Sequence, residues 1–247
     1  MISNNYYIDE RLSELIDLKN IKKKYDNRFE LDISMKIDNG KVVVLAGKNG
    51  AGKSTFIKCI TGLINSGGKA LVDGVDIRKV EGKRNIAYSP EIPEVFDYLT
   101  VYEHLELYSI TYDIKEWDAV ASYLLEKMEL SKYKDVVGKE LSKGTKQKLS
   151  LCCSLIREGC FIILDEPFTG LDPYAMKNLK DIINEKKGKG CTFLISTHIL
   201  ESLEDIWDEM YIIDNGKIIK KIMKKDNIHI LNAFFDESKE SDTNMKI

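Results

Sequence analysis

The stretch "GKNGAGKS", Gly47 to Ser54, decides the fold because it fits the pattern G-x-x-x-x-G-K-[ST] at every fixed position. The β-branched segment "KVVVLAG" (41–47) precedes it, and the helix-like segment "TFIKCITGL" (55–63) follows it. Glycines let a backbone turn its N–H groups inward around an anion, and a helix N-terminus adds the positive end of its dipole. The stretch therefore predicts a phosphate-binding loop between a buried strand and a helix. A glycine-rich turn without a ligand is the alternative.

Each residue type in this loop has a chemical reason. Lys53 is expected to reach the β- and γ-phosphates of a nucleotide, and the Ser54 hydroxyl is expected to contact Mg²⁺. Thr55 adds a further phosphate contact in this interpretation. The candidate nucleotide-binding residues of the loop are Gly47, Asn49, Gly50, Ala51, Gly52, Lys53, Ser54 and Thr55.

Two further segments place polar groups at the ends of apolar strands. "FIILDEP" (161–167) ends in two adjacent carboxylates, of which Asp165 suits a Mg²⁺ ligand and Glu166 a general base that polarises water. Adjacent acids at a strand end also occur as turn or cap residues.

His198 follows the apolar "CTFLI", where α/β sheets place ligand-contacting groups, so it could hydrogen-bond the γ-phosphate or the attacking water. A structural contact is the alternative for this histidine.

The remaining pattern indicates an α/β fold, since apolar strands alternate with helical segments. Strands are predicted around Leu18–Tyr25 and Glu30–Ile37, with a turn at "DNR" (26–28). Hairpins are predicted in "KALVDGVDI" (69–77) and "MYIIDNGKIIKK" (210–221), where Asp-Gly and Asn-Gly form the turns.

The chain is expected to form a single domain over residues 1–225, with a helical part at about 91–158. Residues 1–17 form a polar extension, and the polar tail 226–247 is expected to fray.

Composition excludes several classes of protein. The 247 residues include 43% hydrophobic ones, enough for a sizeable core, and the formal net charge of −3 gives no general case for binding nucleic acid or a membrane surface. The five cysteines contain no C-x-x-C pair and are interpreted as reduced core thiols. We expect neither a signal peptide nor a membrane-spanning segment, because no apolar run approaches about 18 residues.

The order of these motifs resembles the ATP-binding cassette ATPases, the nucleotide-binding subunits of ABC transporters, from about Leu18 to Lys221. "LSKGTKQK" (141–148) is similar to the family signature L-S-G-G-Q, with Lys143 and Thr145 as the departures. The resemblance implies an α/β P-loop NTPase with a mostly parallel core sheet, an N-terminal antiparallel β subdomain and a helical subdomain.

The resemblance also implies roles for single residues. Tyr25 lies where the family stacks an aromatic ring on adenine, and Glu91 in "AYSPE" replaces a Gln that contacts Mg²⁺ or water. Ser142 and Gly144 would cover the ATP of a second subunit; a capped surface helix is the alternative. Asp172 in "GLDP" lies in the loop that crosses the family's dimer interface, and it also suits a helix N-cap.

The function that the resemblance implies is an ATP-binding and ATP-hydrolysing subunit that powers transport, with export favoured. Its partners would be an integral membrane permease and a second cassette, identical or different, with no nucleic acid. The chain would lie in the cytoplasm on the inner face of the membrane. The expected contact surface is 92–112, whose aromatic side chains are either a docking groove or part of the core.

Two other functions stay open from the sequence. One is a non-transport cassette ATPase acting on ribosomes or DNA, and the other is a P-loop kinase of a small molecule. Kinases of this kind rely on Arg-rich lids, whereas this chain has few arginines.

Overall fold

A computed structural model describes residues 16–25, 29–224, 229–231 and 234. The predicted N-terminal extension, the "DNR" turn and the polar C-terminal tail lie largely outside these residues. The strands are β1 (Ile16–Tyr25), β2 (Phe29–Ile37), β3 (Val42–Ala46), β4 (Gly67–Val72), β5 (Val75–Asp76), β6 (Ile86–Ser89), β7 (Phe161–Asp165), β8 (Thr192–Ser196), β9 (Glu209–Asp214) and β10 (Lys217–Met223). The helices are α1 (Lys53–Ile60), α2 (Val80–Lys83), α3 (Val101–Thr111), α4 (Trp117–Lys127), α5 (Lys143–Leu155) and α6 (Pro173–Gly188).

The strands form two sheets. The larger sheet has six strands in the order β10-β9-β3-β8-β7-β6, in which only the β10–β9 pair is antiparallel. The smaller sheet has four strands in the order β2-β1-β4-β5, and all its pairs are antiparallel. The predicted combination of a mostly parallel core sheet and an N-terminal antiparallel sheet is therefore confirmed.

The larger sheet is buried on both faces, as its continuous apolar strands require. Alternate residues of β3 belong to different cores: Val42 and Val44 pack with the helices of one face, whereas Val43 and Leu45 pack with the smaller sheet and α1 on the other. The chain thus forms three layers, with the parallel sheet in the middle. All five cysteines are buried and none of them forms a disulfide, as the sequence predicts.

The turns and helix starts follow local sequence signals. Both predicted hairpins form, and residues with positive φ make their turns, as Asp-Gly and Asn-Gly allow. Thr100 caps α3 through a capping box with Glu103, and Ser142 caps α5 by accepting from the Thr145 N–H.

Between β6 and β7 lie α3, α4 and α5, inside the predicted helical part. None of the helices among the described residues combines the length and apolar character needed to cross a bilayer.

His104 fixes the segment that leads into α3. Its Nε2 accepts from the Phe96 N–H at 2.8 Å, and its Nδ1 lies 2.6 Å from the Thr100 carbonyl oxygen. These two bonds require a neutral ring with the proton on Nδ1. The side chain is buried, and burial lowers the pKa of His104 below its ordinary value.

This neutral histidine predicts a pH-dependent stability. Because its folded pKa is depressed, the stability that His104 contributes is present above the unfolded pKa of about 6.5 and is lost as pH falls through the folded pKa. We expect the free energy of unfolding, measured with urea, to decline as pH falls from 7.5 to 5. His104→Gln, which does not titrate, should decline less steeply, and equal slopes for both proteins would contradict this.

Candidate active site

A cleft of about 580 Å³ opens at the carboxyl ends of the parallel strands. It is lined by residues of the loop after β3 and the start of α1, and by residues that follow β6, β7 and β8. The last residue of β1 and the first residue of β2 complete the lining. Its lining residues are Tyr25, Phe29, Asn49, Gly50, Gly52, Lys53, Ser54, Thr55, Glu91, Glu166 and His198. Ten of these eleven were candidates from the sequence, and Phe29 is the addition. The cleft therefore unites residues that lie far apart in the chain.

Glycine is required at two positions of the loop after β3. A Cβ on Gly47 would lie 2.5 Å from the Ile213 carbonyl oxygen, so strand β9 leaves no room for a side chain. Gly52 has a φ of 111°, a conformation that favours glycine. The Ala51 carbonyl oxygen accepts from the Gly216 N–H at 2.9 Å, which ties the loop to the β9–β10 turn. The loop is thus held in shape by its surroundings.

Lys53 begins α1 and folds back over this loop. Its Nζ donates to the carbonyl oxygens of Gly47 at 2.8 Å and Lys48 at 3.4 Å. The side chain is only 7% exposed, and no carboxylate of the described residues forms an ion pair with it. A buried ammonium at the N-terminus of a helix attracts an anion.

Asp165 lies at the end of β7, behind the cleft. It accepts hydrogen bonds from the Ser54 hydroxyl at 3.4 Å and from the Ser196 hydroxyl. Burial raises the pKa of Asp165, the two hydroxyls lower it, and the nearby charges of Glu91 and Glu166 raise it further. The carboxylate therefore has hydroxyl partners but no cation among the described side chains.

Glu166 is positioned by its backbone as well as its side chain. Its φ is +50°, and its N–H donates to the Ser196 carbonyl oxygen at 2.9 Å. Its Oε2 lies 2.8 Å from His198 Nδ1 and accepts from the His198 N–H at 3.2 Å. The carboxylate is buried but lines the cleft, whereas the imidazole is half exposed. Backbone strain of this kind occurs at functional sites.

Two aromatic rings lie at the mouth of the cleft. Tyr25 and Phe29 are paired in the antiparallel register of β1 and β2. Tyr25 is 44% exposed, and Lys23 Nζ lies 5.2 Å from the centre of its ring. An exposed aromatic face is suited to stacking on a planar base.

Three predicted binding residues lie elsewhere in the fold. Ser142 and Gly144 begin α5, and Asp172 caps α6, where its Oδ1 accepts from the Ala175 N–H at 2.9 Å. That hydrogen bond, followed by the charge of Lys148 at 3.1 Å, lowers the pKa of Asp172. None of the three lines the 580 Å³ cleft. The helix caps are confirmed, while any contact of these residues with a nucleotide stays a prediction.

A phosphate loop after one parallel strand, with an acidic residue at the end of another strand of the same sheet, defines a P-loop nucleotide-binding protein. A profile of the family described as ABC transporter matches residues 31–169. The chain belongs to this family, as an ATP-binding subunit of the transport-coupled ATPases. This finding favours the transporter interpretation over the two alternatives left open by the sequence.

Several relatives support the assignment. The lipopolysaccharide export system ATP-binding protein LptB of Haemophilus influenzae is 33% identical over 83% of this chain and 89% of its own length. The lantibiotic transport ATP-binding protein SrtF of Streptococcus pyogenes is 35% identical over the same shares of the two chains. A solved ATP-binding subunit of an ABC transporter superposes with a TM-score of 0.83 at 33% identity, covering 90% of this chain and 98% of that one.

Two residues of the site were not predicted from the sequence. Ser196 contacts both Asp165 and Glu166, and Phe29 faces Tyr25 at the mouth. Ser196 had one signal in the sequence, namely its position at the end of an apolar strand. The register that places Ser196 beside Asp165 is set by the fold. Phe29 has no sequence signal beyond its position after a turn.

The close packing of Gly47 predicts the effect of a single methyl group. Gly47→Ala should lower the free energy of unfolding by about 1–3 kcal/mol, because the added Cβ meets backbone atoms of β9 that cannot move independently. ATP affinity, measured by calorimetry, should fall as the loop shifts.

Gly188→Ala is the matched control for this substitution. No atom lies within 4 Å of its added Cβ, and its φ is not in the positive range, so stability and ATP affinity should be retained. Similar behaviour of the two variants would contradict the packing argument.

Proposed function

We propose that this chain hydrolyses ATP between two cassettes and thereby drives export through a separate membrane subunit. The observation that carries the proposal is the arrangement at the end of β7, where Glu166 lines the phosphate cleft and is held by His198. The chain acts at the cytoplasmic face of the membrane, as a peripheral component of the transporter.

The loop after β3 holds the phosphates of ATP in this proposal. Its N–H groups and Lys53 contact the β- and γ-phosphates, and the ammonium exchanges its bonds to the loop carbonyls for phosphate oxygens. Thr55 and Asn49, which line the same cleft, add polar contacts. Tyr25 stacks on the adenine ring at the mouth.

The residues of the site fit Mg²⁺ by their chemistry. Ser54 and Asp165 present oxygen atoms 3.4 Å apart, and Mg²⁺ prefers oxygen ligands. Among the described residues no three His, Cys, Asp or Glu side chains gather as a metal site, which suits an ion that takes its other ligands from phosphates and water. Ser54 and Asp165 would hold the ion, with Glu91 near it. When bound, Mg²⁺ neutralises charge on the phosphates.

Glu166 and His198 perform the proton and positioning work. The Glu166 carboxylate accepts a hydrogen bond from the attacking water and receives its proton as the oxygen bonds to the γ-phosphorus. The bond between that phosphorus and the β–γ bridging oxygen breaks, which leaves ADP and inorganic phosphate. His198 Nδ1 keeps Glu166 in place, and its half-exposed ring faces the cleft, where the γ-phosphate would lie.

The location of the signature supports a dimer. Ser142 and Gly144 lie at the N-terminus of α5, yet they lie outside the cleft of their own chain. In a two-fold dimer the same patch of each chain covers the cleft of the other, so both sites are completed at once. ATP then holds the chains together, and loss of the γ-phosphate releases them.

A membrane partner is supported by the exposed apolar side chains after β6. Ile92 is 76% exposed, Tyr98 80% and Phe96 56%. Tyr102 and Tyr108 are instead partly buried against the core, so only part of the predicted aromatic surface is available. These exposed apolar side chains are available for contact with a partner.

The direction of transport is inferred from the relatives. The family members SrtF and SkfE are named for lantibiotic transport and for peptide export, and LptB for lipopolysaccharide export. We therefore assign this chain to an export system.

Replacing the general base separates binding from hydrolysis. Glu166→Gln should retain ATP affinity and lose at least about 100-fold in the rate of phosphate release, the usual contribution of general-base catalysis. Because ATP then persists between two chains, size-exclusion chromatography with ATP should show a dimer.

The control is Glu158→Gln, which removes a carboxylate paired with Lys189 outside the cleft and should hydrolyse ATP normally. A Glu166→Gln protein with unchanged phosphate release would contradict the assigned role. A variant that stays monomeric with ATP bound would contradict the two-chain site.

A further inference from the structure

Two of the five cysteines, Cys160 and Cys191, lie side by side at the amino ends of neighbouring strands. The register pairs Phe161 of β7 with Thr192 of β8, and each cysteine comes one residue earlier. The Thr192 N–H donates to the Cys160 carbonyl oxygen at 3.2 Å, so the two segments run together before the strands begin. Adjacent strands are about 4.8 Å apart, within the range of Cα separations that a disulfide bridges.

The two cysteine side chains also lie on the same face of the sheet. Side chains alternate between the two faces along a strand. Cys160 packs in the same core as Ile162, and Cys191 in the same core as Phe193, whereas Phe161 belongs to the core of the opposite face. The two thiols are therefore neighbours, and a hydrogen bond joins them.

The surroundings of Cys191 stabilise a thiolate. The hydrogen bond with the Cys160 thiol is the main cause that lowers the pKa of Cys191 to about 6, against the effect of burial. Backbone hydrogen bonds of Cys160 and Gly159 and the charge of Lys186 lower this pKa further. The same bond between the thiols holds the pKa of Cys160 well above its ordinary value, because Cys160 keeps the proton. Cys191 is thus the nucleophile of the pair.

Lys186 of α6 supplies the positive charge beside the pair. Its side chain is 5% exposed, and its Nζ donates to the Arg157 carbonyl oxygen at 2.9 Å. Burial lowers the pKa of Lys186, and the charge of Cys191 raises it. The ammonium and the thiolate therefore favour each other's ionised form, as at reactive cysteines.

The chain around the pair leaves room for a small oxidant. Gly159 and Gly190 precede the two cysteines, and a Cβ added to either glycine would meet no atom within 4 Å. A cavity of about 290 Å³ between α4 and α6 is lined in part by Glu158, Lys186 and Lys189. Because the charge of Lys186 acts on both thiols, this cavity lies beside them. A molecule as small as hydrogen peroxide fits such a space.

We propose that Cys160 and Cys191 are a peroxide-reactive dithiol that closes to a reversible disulfide between β7 and β8. The Cys191 thiolate attacks one oxygen of hydrogen peroxide and the O–O bond breaks, which gives a sulfenic acid at Cys191 and a hydroxide that takes up a proton. The Cys160 sulfur then attacks Cys191 Sγ, so that the S–S bond forms and the sulfenic oxygen leaves as water with the thiol proton. Two electrons pass from the two sulfurs to the peroxide.

This site is separate from the nucleotide cleft but belongs to the same two strands. β7 and β8 are each five residues long, and Glu166 and His198 follow their carboxyl ends. The inference goes beyond the proposed function, since it requires neither a nucleotide nor a membrane partner. Thiols that are reduced at rest and form a transient disulfide are typical of redox sensing in reducing compartments.

The test counts free thiols in the full chain. The protein is treated with hydrogen peroxide and unfolded, and the remaining thiols are labelled with N-ethylmaleimide. The reduced chain should take five labels and the oxidised chain three, with the peptides of Cys160 and Cys191 joined in the mass spectrum. Dithiothreitol should restore five labels.

Cys152 is the internal control for reactivity. It is buried on α5, and burial raises the pKa of its thiol to about 12. Its oxidation should be at least about tenfold slower than that of Cys191, because the gain in thiolate outweighs the lower nucleophilicity of the more acidic thiol.

Single substitutions separate the roles of the two cysteines. Cys160→Ala should trap the sulfenic acid at Cys191, where dimedone labels it, because the second thiol is missing. Cys191→Ala should leave Cys160 unreacted, since its pKa lies well above the ordinary value. Cys59→Ala removes a buried cysteine of α1 and should still form the disulfide.

Three results would overturn the inference: five labels retained after peroxide, a disulfide that joins other cysteines, and a sulfenic acid at Cys160 in the Cys191→Ala protein. The first two are measured on the unsubstituted chain, so they decide the question even where a variant fails to fold.

Discussion

The register of three neighbouring parallel strands is the constraint on which the site depends. Ser196 of β8 is paired with Leu45 of β3 on one side and with Asp165 of β7 on the other. The three strands therefore end together, and the loop after β3 meets the carboxylates after β7 at one edge of the sheet. A shift of one residue in this register would turn Asp165 to the opposite face of the sheet.

Charge at this edge is organised for a ligand. Lys53 is buried with carbonyl oxygens as its partners, and Asp165 is buried with hydroxyls as its partners. Each buried charge is thus hydrogen-bonded but lacks an opposite charge among the described residues. Such a charge lowers the stability of the fold unless a ligand of opposite charge binds beside it. A nucleotide that carries both anionic phosphates and a bound cation would satisfy the two at once.

The sequence predicted most of the site because its signals are local. The phosphate loop needs glycine, lysine and serine at fixed spacing, and the hairpins need Asp-Gly and Asn-Gly turns, so a single segment contains the whole pattern. The contact of Ser196 with Asp165 depends on tertiary packing, because these two residues are 31 positions apart in the chain. The positive φ of Glu166 also had no signal, since glutamate does not favour that conformation.

The central claim is that one ATP site is built from two chains, and mixing two defective proteins tests it directly. Lys53→Ala disables the phosphate loop, and Ser142→Arg blocks the helix start, so each protein alone should hydrolyse little ATP. In a mixed dimer one site combines the intact loop of the Ser142→Arg chain with the intact signature of the other. The account predicts that equimolar mixing restores a substantial part of the phosphate-release rate. A mixture no more active than its components would contradict it.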